Sequence, residues 1–404
     1  MKNLTTLLFL CIFLVAVGCK KDDTSSTPED TKLEEIQTIV DTYNNDFKAQ
    51  MQDESAAVGI GLYVIDKEIE FYISSGFPEA YGENIHFRIA SNSKTFTAAA
   101  ILRLYQEGKL DIDDVITDLI PNTDRPYIPD TENFNVPYKS QITIRELLQH
   151  RAGVFDVTNG PIPESAEAPY AGQYYVDYVK DLFGEDHTFT FEELISVVAH
   201  NQLSDFEPGA EFHYSNTGYN VLGYIVENIS GKRLHEYLKD EFFDPLQLEN
   251  TTSPHLGTDQ QMPSPYTLSY VKINNEIIEV DKDNLTANIS EGQIISTPKS
   301  LAKWGRLLLS TNEVLNAEIR AMMIDALPAD ESHGFYGLGI QVYPTELGYG
   351  HDGAHLAYLT TMRYEPESDR TFVIFTNHLN IDNFVNEANA LYDVLRETIT
   401  VLDN

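Results

Sequence analysis

Four pairs in this chain place a serine three residues ahead of a lysine: Ser91/Lys94, Ser269/Lys272, Ser296/Lys299 and Ser300/Lys303. On a helix such a pair shares one face, one turn apart. The amine can then take the hydroxyl proton and make the serine a nucleophile, provided burial or nearby cations lower its pKa. Context separates the four pairs. Ser269 and Lys272 lie in a strand-like stretch before Asn274-Asn275, where residues three apart face opposite sides. Ser296-Thr297-Pro298 reads as a helix start, with a hydroxyl cap and proline in the first turn. Ser300 and Lys303 fall inside that helix, beside Leu301 and Trp304. Only Ser91 stands between an apolar run (87–90) and a helix carrying Ala98, Ala99 and Ala100, small enough to be buried at a domain junction. The N-terminus of that helix adds positive potential where an oxyanion would form.

Two further groupings carry chemistry. Tyr214-Ser215-Asn216 puts a phenol and an amide two residues apart, on one side of an extended segment. A tyrosine acts as a base only where cations hold its pKa well below about 10. Tyr43-Asn44-Asn45 has the same pattern but sits in an amphipathic helix, as a core tyrosine with an exposed amide. His351-Asp352-Gly353 falls between Gly350 and a strand expected to start near Ala357. A glycine there permits close approach to the backbone, and the Ala354 amide is a candidate oxyanion donor.

Helical spacing marks residues 33–52, 95–108, 143–150, 191–201, 219–243, 296–310 and 384–402. Strand-like runs occur at 56–64 and 69–74, and again at 336–343, 357–364 and 371–376. Strands therefore sit at both ends of the chain, with helices between. The expected fold is α/β (α+β): one antiparallel sheet assembled from both chain ends, flanked by helices, with a mostly helical insertion at about 110–290. The Tyr-rich stretch 158–205 reads as a variable insertion whose aromatics pack on the core or bind a sugar or acyl group.

Residues 1–18 read as an export signal: Lys2, then a short apolar run ending in Ala16-Val17-Gly18-Cys19. That ending looks like a bacterial lipobox, with Ala rather than Leu at its third position before the cysteine. Cys19 is then the expected lipidation site, residues 19–32 a flexible tether, and 33–404 the folded domain in the cell envelope. Lys20-Lys21-Asp22-Asp23 resembles the tag of surface-exposed lipoproteins. Cleavage discards Cys11, the only other cysteine, which leaves no disulfide. With 27 basic and 63 acidic residues the net charge is −36, which excludes a nucleic-acid partner. The eleven histidines form no metal-ligand run, and no cofactor is expected.

Ser-x-x-Lys, Tyr-x-Asn and His-x-Gly, in that order, resemble the serine β-lactamase and penicillin-binding-protein superfamily. The resemblance is to the class C β-lactamase-related serine hydrolases, which include D-alanyl-D-alanine carboxypeptidases and esterases. Segments 87–114, 142–154, 207–231 and 245–251 look like the family's linking segments, so the likeness runs from about residue 33 onward. It implies Ser91 as the acylated nucleophile, with Lys94 and Tyr214 sharing the base and acid work. Asn216 would contact Lys94 and the substrate amide, and Gly353 would let substrate lie along the strand. The N–H groups of Ser91 and Ala354 would form the oxyanion hole. His351 stands where many relatives carry lysine, which resembles the carboxypeptidase and esterase branches. Asp352 departs from the lactamase triplet: its carboxylate repels an anionic substrate unless it faces away or pairs with a cation. The resemblance implies an acyl-enzyme hydrolase of a small peptide, a β-lactam or an ester. A D-alanyl-D-alanine carboxypeptidase-like or D-amino-acid peptidase is expected first, because an envelope-anchored protein meets peptidoglycan fragments. A carboxylesterase or β-lactamase is the alternative, with the membrane met only through Cys19. A non-catalytic penicillin-binding envelope receptor is the alternative from another class. The sequence fixes no oligomeric state.

Overall fold

The computed structural model describes residues 28–404 except 54, 331, 344 and 345. The signal segment and Cys19 lie outside the described residues. The chain opens with α1 (Pro28–Met51) and the hairpin β1 (Ile60–Ile65) and β2 (Glu70–Ser75). A short strand, β3 (Phe87–Arg88), leads through a tight turn at Ala90–Asn92 into α2 (Ser93–Gln106). Next come α3 (Ile144–Leu148), α4 (Tyr175–Phe183), α5 (Phe191–Asn201), α6 (Asn216–Ser230) and α7 (Leu234–Leu238), then the hairpin β4 (Ser269–Ile273) and β5 (Glu276–Val280). After β6 (Ile295–Ser296) follow α8 (Pro298–Ser310), α9 (Ala317–Ile324) and the two-residue strands β7 (Leu327–Pro328), β8 (Phe335–Tyr336) and β9 (Gln341–Val342). The chain closes with β10 (Tyr349–His355), β11 (Tyr358–Glu365), β12 (Arg370–Thr376), β13 (His378–Asn380) and α10 (Phe384–Asp403).

The main sheet runs β2-β1-β12-β11-β10-β9-β8-β7, with every pair antiparallel. Strand β1 pairs with β12, Ile60 opposite Thr376, so the two chain ends do build one sheet. Strand alternation splits the core in two. Leu62, Val64, Phe372 and Ile374 face α1 and α10, where Ile36, Val40, Leu391 and Val394 cover them. Tyr63, Val373 and Phe375 point the other way, into the larger core shared with α2 and α8. Helices begin where short hydroxyl side chains cap them. Thr143 forms a capping box with Glu146, and Thr190, Ser215 and Thr297 each accept a backbone N–H from the following turn.

Several expectations need correction. The run at 336–343 is two short strands around a turn, not one strand. His351-Asp352-Gly353 does not precede a strand: it lies inside β10, whose two glycines, two histidines and aspartate carry little strand signal. The sheet is also not the only one, since β4 pairs antiparallel with β5 and parallel with β13. Helix α1 begins at Pro28, within the stretch read as tether; proline in the first turn with Glu29 and Asp30 suits a helix start. The Tyr-rich stretch contains α4, where Tyr175 is buried with Tyr170 edge-on at 5.0 Å, in keeping with the expectation that its aromatics pack on the core.

A buried ion pair ties α10 to the sheet. Arg363 of β11 is fully buried, and its Nη2 donates to Asp352 Oδ1 at 2.6 Å and to Gln341 Oε1 at 3.0 Å. Tyr392 of α10 donates to the other Asp352 oxygen, and Thr361 Oγ1 donates to Oδ1 at 2.9 Å. The guanidinium also lies 4.6 Å from the Tyr343 ring centre. Asp352→Ala strands that charge in the core and is expected to cost about 3 kcal/mol or more of stability. Urea unfolding measures the loss, and adding Arg363→Met should recover most of it because the stranded charge is gone.

Candidate active site

A column of hydrogen bonds aims Ser91. Trp304 Nε1 donates to Thr95 Oγ1 at 2.8 Å, and Thr95 Oγ1 donates to the Asn92 carbonyl at 2.7 Å. Asn92 donates to the Ile89 carbonyl through its backbone at 3.2 Å and its side chain at 3.0 Å. Phe96 stacks on Trp304 at 3.9 Å and fixes the same turn from α2. Ala90, just before the nucleophile candidate, is held at φ +48°. That conformation costs a non-glycine residue about 1–2 kcal/mol, and the buried turn around it supplies the restraint. Ser91 itself is part-exposed, while Asn92, Ser93 and Lys94 are buried.

Gly353 belongs to this turn. A Cβ there would meet the Ile89 carbonyl oxygen at 2.5 Å and the Ala90 Cβ at 3.0 Å. The space expected to admit substrate is thus filled by the backbone that precedes Ser91. Gly353 lets β10 and that turn pack together.

Lys94 has no exposed side-chain surface. Its Nζ lies 3.2 Å from Ser91 Oγ, 2.7 Å from Asn216 Oδ1, 3.1 Å from the Glu291 carbonyl and 3.2 Å from Glu291 Oε2. The Tyr214 ring centre is 4.7 Å away. Burial pushes the Lys94 pKa below its ordinary range, against the pull of Glu291 and Asp156. Burial likewise raises the Glu291 carboxyl, against the pull of Lys94. The two partners are driven toward each other, which is the condition for sharing a proton.

Ser215 caps α6 by accepting from Gly218 N at 3.1 Å, and it holds Tyr214 and Asn216 on either side of the helix start. His150 Nδ1 accepts the Ser215 N–H at 3.0 Å. Asp156 Oδ2 accepts the Asn216 N–H at 3.2 Å, and Asn216 Nδ2 donates to Thr158 Oγ1 at 2.9 Å. The Asn216 oxygen is thereby turned to Lys94. The Tyr214 hydroxyl is buried and makes no hydrogen bond of good geometry among the described residues. Burial pushes its pKa well up, with Ser91 beside it easing the rise, so it stands as a phenol and a proton donor.

His351 faces the same cluster from β10, its ring centre 6.3 Å from that of Tyr214. Its Nδ1 lies 2.5 Å from the Asp352 carbonyl and its Nε2 2.8 Å from the Tyr336 hydroxyl. The carbonyl requires the proton on Nδ1, so Nε2 accepts from Tyr336. Burial and then Lys94 hold the imidazole well below its usual pKa, hence neutral. Asp352, one residue on, faces the opposite side of the strand, where Arg363 pairs its charge. Ala354 is exposed, beyond the point where β9 stops pairing with β10: Tyr349 and Gly350 alone among the described residues of β10 have β9 partners.

The structure therefore brings Ser91, Lys94, Tyr214, Asn216 and His351 together and sets Gly353 behind them. Sequence reasoning missed Glu291, His150, Asp156 and Tyr336. One signal was available for Glu291: it is the single charged residue in 285–297. Gly353→Ala should displace the Ser91 turn, and a shift of about 1 Å costs on the order of 100-fold in rate. Acylation by a serine-directed fluorophosphonate, followed by mass, checks it against a melting temperature that falls far less.

Residues 44–395 match the family model described as Beta-lactamase. Protein flp of Staphylococcus aureus (strain MW2) is 29% identical over 172 residues, covering 41% of this chain and 28% of that protein. The N-acetylmuramyl-L-alanine amidase of Bacillus subtilis (strain 168) is 30% identical over 166 residues, covering 41% and 32%. The chain thus spans under a third of the length of these curated relatives. Among solved structures, D-amino acid amidase from Ochrobactrum anthropi SV3 with D-phenylalanine has a TM-score of 0.72 at 22% identity, over 93% of this chain and 99% of that one. The penicillin binding protein from Bacillus halodurans has a TM-score of 0.64 at 22% identity, over 83% and 96%. The fold likeness and the family match over most of the chain agree with the site geometry: this chain belongs to the beta-lactamase family.

Proposed function

We propose that this chain is a serine hydrolase and cleaves amide bonds of D-amino-acid amides or short D-amino-acid peptides through an acyl-Ser91 intermediate. The observation that carries the reading is the fully buried Lys94 Nζ, 3.2 Å from Ser91 Oγ and oriented by Asn216. Neutral Lys94 takes the Ser91 proton as the oxygen attacks the carbonyl carbon. The Ser91 and Ala354 N–H groups receive the oxyanion, each worth about 3–4 kcal/mol of transition-state stabilisation. Tyr214, held as a phenol, donates to the departing amine, and water then releases the acid.

The leaving group follows from charge. A carboxypeptidase must neutralise a terminal carboxylate beside the scissile bond. Here His351 is neutral and Lys94 is engaged by Glu291 and Asn216. An uncharged leaving group fits better, and an acidic chain of net charge −36 adds to that preference. D-configured substrates are the first to test because the solved structures that share this fold include the D-amino acid amidase from Ochrobactrum anthropi SV3.

D-alanine p-nitroanilide should be hydrolysed with kcat/KM about tenfold or more above that for release of D-alanine from an N-acyl-D-Ala-D-Ala peptide, the difference expected from about 1.4 kcal/mol of charge mismatch. Ser91→Ala should abolish both. Equal rates, or fast turnover of a penicillin, would return the assignment to a carboxypeptidase or lactamase.

We also propose that Cys19 carries a lipid anchor that keeps the enzyme in the bacterial cell envelope, on the strength of the lipobox-like 16–19 sequence. Metabolic labelling with palmitate should mark the full chain and be lost in Cys19→Ala. Labelling that persists in the variant would refute the assignment.

A further inference from the structure

Lys94 poses a difficulty that its neighbours resolve. Its nitrogen has four acceptors in reach, and an ammonium has only three N–H groups. As an ammonium paired with Glu291 it is no base for Ser91. To become one it must pass a proton to a group already touching it. Asn216 and the Glu291 carbonyl cannot hold one. Glu291 Oε2, at 3.2 Å, can.

The structure fixes that carboxyl where the proton is needed. Glu291 Oε1 accepts from Asn288 Nδ2 at 2.8 Å, leaving Oε2 for Lys94. The flanking segment is tied to both helices of the site. Thr97 Oγ1 of α2 donates to the Ser290 carbonyl at 2.6 Å, and Ser93 Oγ accepts the Ile294 N–H at 3.1 Å. From α6, Asn220 Nδ2 donates to the Ile289 carbonyl at 2.7 Å, and the Tyr219 carbonyl accepts from Ser290 Oγ at 2.8 Å. Other charged and titratable groups surround the pair without replacing it. Asp156 faces it from the segment after α3, with both oxygens occupied by the Thr158, Asn159 and Asn216 groups. His355 faces it from the end of β10 and is bound to Asp283 at 2.7 Å. Tyr214 and Tyr219 place their rings against Lys94, and His150, just past the end of α3, and His351 of β10 both feel the Lys94 charge. His333 stands behind Tyr214, ring on ring at 4.8 Å.

We propose that Glu291 is a positioning residue that holds the Lys94 proton during acylation. The idea rests on the hydrolase reading above. One N–H bond of Lys94 breaks as an O–H bond forms at Glu291 Oε2. The Ser91 O–H then breaks, an N–H re-forms on Lys94, and Ser91 Oγ bonds to the substrate carbonyl carbon. When the C–N bond of the tetrahedral adduct breaks, Tyr214 protonates the amine and is re-protonated from Lys94. Glu291 finally returns its proton to Lys94, so the count closes at the acyl-enzyme; in deacylation the water oxygen bonds to the acyl carbon and one water proton returns to Ser91 Oγ.

The test is the pH dependence of the acylation burst with p-nitrophenyl acetate in wild type, Glu291→Gln and Glu291→Asp. If Glu291 holds the proton, the acid limb in wild type reports a second proton entering the pair. In Glu291→Gln it reports the Lys94 ammonium itself. The limb should then move to higher pH, with the rate at neutral pH down about tenfold or more, and Glu291→Asp should restore the wild-type limb. If Glu291 is only a counter-ion, removing its charge lowers the Lys94 pKa and the limb moves to lower pH, which overturns the proposal. A lower rate with an unmoved limb also overturns it, by assigning Glu291 a merely structural role. A wild type that gives no burst overturns the hydrolase reading first, and this proposal with it.

Discussion

Everything around Ser91 answers to one constraint: a lysine nitrogen with no exposed surface needs partners on every side. An isolated buried charge costs several kcal/mol even after relaxation. The chain meets that cost from three separate stretches: Ser91 from α2's approach, Asn216 from the first turn of α6, and Glu291 from the segment before β6. Each is itself held by a further contact: Asn216 by Asp156 and Thr158, Glu291 by Asn288, Ser91 by the column that ends at Trp304. Burying Lys94 thus makes the helices α2 and α6 and the 289–294 segment one unit.

The sheet supplies the fourth wall, and period two along β10 sorts its residues by task. His351 and Gly353 face Ser91. Asp352 and Arg363 work behind the sheet, against α10. One strand therefore serves the site and the far core at once, and the charge at 352 is paired behind the sheet. The glycine at 353 links the two roles, because the Ile89 carbonyl occupies the space where its side chain would be.

Legibility in the sequence followed local signal. Strands 60–65 and 370–376 were readable because they are apolar and rich in β-branched and aromatic residues; α2, α6, α8 and α10 were readable by spacing and caps. Strand β10 was not, because Tyr-Gly-His-Asp-Gly-Ala-His has no intrinsic preference for extension; pairing with β11 over all seven residues imposes it. The short strands β7 to β9 are likewise products of the sheet edge. At the site, Ser91, Lys94, Tyr214, Asn216 and His351 were visible because their spacings are local. Glu291 lies 197 positions from its partner, and between Ser290 and Gly292 it looks like a loop acid; only the closure of α2 and α6 over it makes it buried. Gly353 was visible, but what fills its space was not, since that depends on a turn from the other end of the chain.

Burial also decides which groups near Lys94 carry charge. His150 and His351 are pushed well below their usual pKa, first by burial and then by Lys94 itself. Tyr214, Tyr219 and Tyr336 are pushed up by burial. All five therefore stay neutral around neutral pH, as imidazoles and phenols. The Lys94–Glu291 pair is different, because its two members are driven toward each other rather than away from the working range. One lysine and one carboxylate with converging pKa directions therefore sit at the centre of the site, ringed by neutral imidazoles and phenols. At Lys94 itself the desolvation that lowers the pKa opposes the neighbouring carboxylates, Glu291 and Asp156, that raise it.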